Sequence, residues 1–184
     1  MYLLTAPTVE PVTVDAAKLA ARLDGSHWDS IVLGSISAAR EVAEHQTGQH
    51  FMQQTWRVEL VEWPAADDQL RFVRPSTVVV TYWDGAAWQP LAGSAYVWAA
   101  LDRGIVLAPA LGTSWPTLGE VAVGARVRID VTIGETDPAQ VPAAAQSFIK
   151  ALVTVMAADP SLTAMDALSS SAYLPRILDP LRLY

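Results

Sequence analysis

Hydrophobic positions along this chain change period twice, and those changes divide it. From Ser26 to Gly48, SHWDSIVLGSISAAREVAEHQTG, the residues Trp28, Ile31, Val32, Ser35, Ile36, Ala39, Val42 and Ala43 recur at three- and four-residue steps. The spacing predicts one long amphipathic helix with Asp29, Ser37, Arg40, Glu41 and Glu44 on its wet side. Ser26 followed three residues later by Asp29 reads as a capping-box-like start, and Thr47-Gly48 as a left-handed stop. Ahead of it, Thr13 is placed to cap a short helix, VDAAKLAARLD, that Gly25 ends. Its Val14, Ala17, Leu19 and Leu23 would face the long helix in an αα-hairpin, while residues 1–12, with Pro7 and Pro11, read as an extended lead-in.

Past Gly48 the period falls to two, the mark of strands. In QTWRVELVEW, Trp56, Val58 and Leu60 share one face and Arg57 and Glu59 the other. VVVTYW at 78–83 runs into Asp84-Gly85 and then Trp88, a hairpin signal. Further strands are expected from Tyr96 to Ala99 and from Gly104 to Ala108, and the cleanest alternation is RVRIDVTI at 126–133. Pro109, Gly112, Pro116, Gly119 and Gly124 mark a long loop. Helical spacing returns after Asp137-Pro138, with Pro142 opening a helix whose Phe148, Ile149, Leu152, Val155 and Met156 form a second stripe able to cover the first. The layout is α+β: a helical bundle built from both chain ends, residues 1–49 and 137–184, with an inserted antiparallel β domain at 50–136.

The end of the chain does not fit a regular element. After a Ser-rich hinge at 169–171, Leu174, Ile177, Leu178, Leu181, Leu183 and Tyr184 concentrate apolar surface on a segment broken by Pro175 and Pro180. Such a segment is either folded back on the bundle or docked on a neighbour, and its end position behind a hinge favours docking, with Arg176 and Arg182 at the rim.

Composition narrows the function. The chain has 184 residues, 52% of them hydrophobic, seven Trp and a net charge of −7. That suits a packed globular protein and disfavours phosphate backbones and anionic membranes as partners. Lys occurs only as Lys18 and Lys150, and no basic run marks a polyanion site. There is no Cys, so disulfides and thiolate metal sites drop out. MYLLTAPTVEP lacks a basic n-region and no apolar stretch reaches the roughly 20 residues of a membrane span, so the expectation is a protein made and kept in a cytoplasm, with no membrane contact.

Candidate chemistry is thin. Glu41 and His45 lie one helical turn apart and His50 follows the helix stop, which would let a carboxylate and two imidazoles meet a metal, but the HExxH pattern is absent and a solvated helix end explains them. Ser26, His27 and Asp29 are triad residue types placed where capping explains Ser and Asp. No nucleophile elbow, P-loop or dinucleotide fingerprint occurs. Trp56, Trp63, Tyr82, Trp83, Trp88, Tyr96, Trp98 and Trp115 leave open a sugar-binding platform, but Trp83 and Trp88, flanking a turn, read rather as interface aromatics. No catalytic residue, metal ligand or cofactor site is assigned. The alternative reading is a Trp-rich carbohydrate-binding module or a small metal-dependent hydrolase.

The order of motifs adds to this. EPVTV at Glu10 to Val14 leads a short helix; AAREVAEHQTG ends the long one; QTWRVELVEWP is a strand closing on Trp-Pro; RVRIDVTIGETDPAQVP joins a strand to a helix; LPRILDPLR lies at the end. In this order the chain resembles the head-tail connector (adaptor, or head-completion) proteins of tailed bacteriophages and gene transfer agents, over nearly its whole length. The resemblance implies a structural virion protein and no enzyme. Such a protein forms a homo-oligomeric ring, dodecameric on the portal protein, joins capsid to tail, meets a stopper or tail-completion protein, and leaves a channel through which DNA passes without sequence-specific binding. It implies a place in the virion neck, after synthesis in the bacterial host's cytoplasm. On this reading Leu174, Pro175, Arg176, Ile177, Leu178, Leu181, Arg182, Leu183 and Tyr184 form the portal or subunit contact, with Trp83 and Trp88 as interface aromatics.

Overall fold

The predicted long helix forms from Asp29 to Thr47 (α2) and stops at Gly48, whose φ of 70° takes the left-handed conformation while its N–H donates to the Glu44 carbonyl. Its start differs from expectation. Ser26–Trp28 is a 3-10 turn with no side-chain cap, and the Asp29 carboxylate instead accepts from Lys18 Nζ at 2.7 Å, tying α2 to the preceding helix α1 (Val14–Ala21). Thr13 caps α1 as expected, by accepting from the Ala16 N–H, but the helix ends at Arg22, with φ 56°, before Gly25. The computed structural model describes residues 1–101, 104–159 and 161–182.

Two compact units result, Met1–Ala6 with Gln53–Gly134 and Pro7–Met52 with Glu135–Tyr184. In the helical unit α2 packs against α3 (Ala143–Ala158), and α1 lies on both. Val32, Ile36, Ala39 and Ala43 meet Phe148, Ile149 and Leu152 in one core. Ile31 is exposed although its spacing placed it on the stripe, and Leu19 of α1 is exposed as well. A further helix that the apolar spacing did not announce, α4 (Ala164–Ser169), is started by a capping box: the Thr163 hydroxyl accepts from the Asp166 N–H, and the Asp166 carboxylate accepts from the Thr163 N–H. It adds Ala167 and Leu168 to the core. No helix among the described residues is long and apolar enough to cross a membrane.

In the β unit, alternation dictates one buried face. The described strands include an antiparallel sheet in the order β1 (Tyr2–Thr5), β2 (Gln54–Leu60), β7 (Val127–Ile133), β3 (Thr77–Trp83), β4 (Trp88–Pro90). Val127, Ile129, Val131 and Ile133 of the central strand are fully buried, opposite Val58 of β2 and Val78 and Val80 of β3. A ribbon of β5 (Tyr96–Leu101) and β6 (Gly104–Pro109) brings Ile105 and Leu107 into this core, and the Tyr96 hydroxyl donates to the Val78 carbonyl at 2.6 Å. Residues 2–5 correct the expected lead-in: they pair with β2 as an edge strand and belong to the β unit.

Candidate functional site

The groups proposed for chemistry do not converge. Glu41 and His45 are both exposed, and His50 turns instead to Glu44, with Nδ1 at 3.6 Å from a carboxylate oxygen. Among the described residues no three His, Cys, Asp or Glu side chains are grouped to hold a metal ion. Ser26 and His27 are exposed in the 3-10 turn.

What α2 does carry is a buried ionic cluster, which corrects the assignment of Arg40 and Glu44 to the wet face. Arg40 and Glu44 are 5% and 8% exposed. Arg40 Nε donates to Glu10 at 2.9 Å and its terminal nitrogen to Glu44 at 3.1 Å, while the Ser37 hydroxyl donates to the other Glu10 oxygen at 2.7 Å. The chain returning after Gly48 closes the cluster, since the Phe51 N–H donates to Glu44 at 2.9 Å. Burial alone would raise the Glu44 carboxyl, but the hydrogen bond with His50, the Arg40 charge and the Phe51 amide outweigh it and hold it below the ordinary carboxylate range. The cluster is closed by its own members and offers no open coordination position. It pins the Glu10 segment and the Phe51 return to α2.

Trp83 and Trp88, expected as interface aromatics, sit on the outer face of the sheet. Trp83 and Trp88 are cross-strand partners of the β3–β4 hairpin, edge to face at 5.9 Å. The turn between them is held by Asp84, whose carboxylate accepts from the Ala86 and Ala87 amides and from Gln89; these bonds, led by that from Ala87, lower its pKa. Arg128 lies 3.8 Å over the Trp88 ring and also donates to Glu59 at 2.9 Å, so one Trp88 face is already taken. Both indoles are half-buried, and the Trp83 Nε1 is enclosed without a hydrogen-bond partner. The other aromatics are dispersed: Trp63 and Trp115 stack on each other at 4.5 Å, Tyr82 packs on Trp63, the Trp63 indole donates to the Pro116 carbonyl and that of Trp56 to Gln54, Tyr96 is buried, and Trp98 is exposed on β5.

The C-terminal segment departs most from expectation. It folds back instead of standing free: Leu174 and Leu178 are buried in the helical core, and Ile177 and Leu181 pack against it. Pro175 and Pro180 permit this because each opens a short helical piece, α5 (Leu174–Ile177) and a 3-10 turn at Asp179–Leu181. Gln49 donates to the Leu181 carbonyl, and Arg182 reaches Asp179 at 3.4 Å and Gln46 at 3.4 Å. Arg176 points to solvent. Leu183 and Tyr184 lie outside the described residues.

No family model matches the sequence. No curated protein matches it either. Solved structures do. A chain in the neck of an empty gene transfer agent particle, computed with C6 symmetry, superposes with a TM-score of 0.74 at 20% identity, covering 100% of this chain and 96% of that one. A chain in the virion of a native gene transfer agent particle gives 0.75 at 20% identity, with 100% and 95% covered. A chain in the neck of a native particle computed with C12 symmetry gives 0.70 at 20% identity, with 100% and 96% covered. The likeness runs over the whole of this chain and nearly the whole of each of those chains, and the fold is that of these gene transfer agent chains.

Proposed function

We propose that this chain is a structural protein of a virion neck, a head-tail connector whose copies form a ring below the portal, join capsid to tail and leave a channel for DNA. The observation that carries the proposal is the end-to-end coincidence of fold with chains of gene transfer agent necks. Three features support it. The one buried ionic cluster on α2 is closed and structural. The net charge of −7 suits a wall past which DNA slides without being held. The outward side of the C-terminal segment, Pro175, Arg176 and Arg182, and the half-buried Trp83 and Trp88 present apolar and cationic groups of the kind enriched in protein interfaces.

On this reading the ring is dodecameric, the C-terminal side meets the portal, and a stopper or tail-completion protein meets the opposite side. The protein is made in the bacterial cytoplasm and resides in the neck. Mixing the purified chain with the portal protein of the same particle and imaging by negative stain is the test. A ring seated on the portal is expected, weakened at least tenfold in affinity by Arg176→Glu. Absence of any complex, together with normal joining of tails to heads in particles that lack this chain, would overturn the proposal.

A further inference from the structure

In the β5–β6 ribbon, β6 is buried or half-buried and β5 is exposed along most of its length. β6 is guarded at one point of its outer edge by Leu70, which exchanges hydrogen bonds with Ile105 at 2.9 and 2.8 Å. Among the described residues β5 has no strand beside it other than β6. After Tyr96 every residue of β5 is exposed, including Val97 at 54%, Trp98 at 37% and Leu101 at 43%. Bonded pairs alternate along an antiparallel ladder. Because the Ala110 N–H donates to the Ala95 carbonyl, the bonded positions of β5 fall at Val97, Ala99 and Leu101, which leaves the N–H and C=O of Trp98 and Ala100 facing the open edge. Edges of this kind are ordinarily blunted by Lys, Pro or a bulge, and YVWAAL carries none. Apolar side chains on both faces are the pattern of a strand covered on both sides.

The other unpaired edges of this unit narrow the occupant. β4 is three residues long and ends at Pro90, which has no N–H to offer. β1 is different: it lies at the rim of the sheet, its four residues are all exposed, and neither YLLT nor YVWAAL contains a charge. In a cyclic ring the copies are related by rotation about a single axis, so each contact joins one patch to a different patch on the next copy. β5 cannot then meet β5, and a distinct edge is required.

We propose that the open edge of β5 takes the β1 edge of the next copy of this chain, so that the sheet of one subunit continues into the β5–β6 ribbon of its neighbour. This deepens the ring reading and rests on it. The absence of native Cys makes the test direct. The full-length Leu3→Cys/Ala99→Cys variant is treated with a short bismaleimide, whose reach tolerates an offset in register, at protein concentrations rising toward the millimolar range. A ladder of multimers is expected from the double variant, a single heterodimer band from a mixture of the two single variants, and no ladder from either alone. Ala100→Pro, which removes an edge-facing N–H outside the ribbon's own ladder, should weaken self-association at least tenfold with the circular-dichroism spectrum unchanged. A double variant that stays uncross-linked overturns the pairing, whether the chain proves monomeric or oligomeric by mass photometry. Equal dimer from Ala99→Cys alone overturns it in favour of a two-fold β5 contact. Rings on the portal without the cross-link would refute strand pairing and leave the neck reading standing, whereas cross-linked multimers that bind no portal would do the reverse.

Discussion

Replacing Arg40 by Met removes the one cation between two carboxylates inside the helical unit. The Arg40 side chain is 6% exposed, Glu44 8% and Glu10 15%, and both are within 3.1 Å of guanidinium nitrogens. Removing one partner of a buried ion pair leaves an uncompensated charge and costs about 3–5 kcal/mol. Glu41→Ala is the control, because that carboxylate is 73% exposed and 3.8 Å from Arg40, a contact of the surface kind that contributes roughly 0–1 kcal/mol. The pH dependence separates this account from simple loss of packing. In the native protein the Glu44 carboxyl titrates below its ordinary value, so its contribution is present above about pH 4.3 and is lost as pH falls through the lower folded value. Without Arg40 one of the effects that oppose burial is gone, the Glu44 pKa rises from its native position, and protonation relieves part of the penalty as pH falls. Urea titrations followed by helical circular dichroism should therefore show a midpoint lowered by more than about 1 M at pH 7, with the gap to the native protein narrowing as pH is lowered. A variant within 1 kcal/mol of the native protein at pH 7, or a gap constant with pH, would refute the reasoning.

Leu178→Ala empties a fully buried site in the helical core and should cost about 2–5 kcal/mol by the same titration; truncation after Ser171, which also removes Leu174, should unfold the helical unit instead of leaving a soluble core, as loss of its circular-dichroism signal would show. Gly119→Ala would drive a Cβ into the Gly85 backbone where the long loop crosses the β3–β4 hairpin, so it should destabilise by about 1–3 kcal/mol and alter the near-ultraviolet Trp signal, with an unchanged melting curve as the contrary result.

The parts of the fold written as local periodicity were legible. Val127–Ile133 alternates without fault because it is the central strand and one face has no solvent, and Gly48 stops α2 because no other residue takes that conformation so readily. The failures share a cause, which is that a pattern of apolar residues says what must be covered and not by what. Tyr2–Thr5 carries no strand signal stronger than that of a disordered start, and only the partner β2, some fifty residues on, makes it one. Pro175 and Pro180 leave both fold-back and docking open for the tail, and its place behind a Ser-rich hinge favours docking, yet two short turns suffice to return Leu174 and Leu178 to the core. For α4 a signal was there: Thr163 and Asp166 stand at the spacing of a capping box.

The buried cluster was illegible for a deeper reason. On a helical wheel Arg40 and Glu44 are a pair four residues apart on the side away from the apolar stripe, and that is how a solvated pair also looks. Their burial depends on Glu10, thirty residues earlier, and on the chain turning back at Phe51, and no periodicity within α2 contains either fact. Two of the five segments through which the chain resembles connector proteins, EPVTV and AAREVAEHQTG, meet in this cluster. That part of the resemblance is carried by groups that fold the helical unit, and it would persist in a chain whose partners had changed. The contacts proposed with other proteins use exposed positions instead, Arg176 and the open edge of β5, where many side chains or the bare backbone would serve, so a motif read from the sequence has no purchase on them.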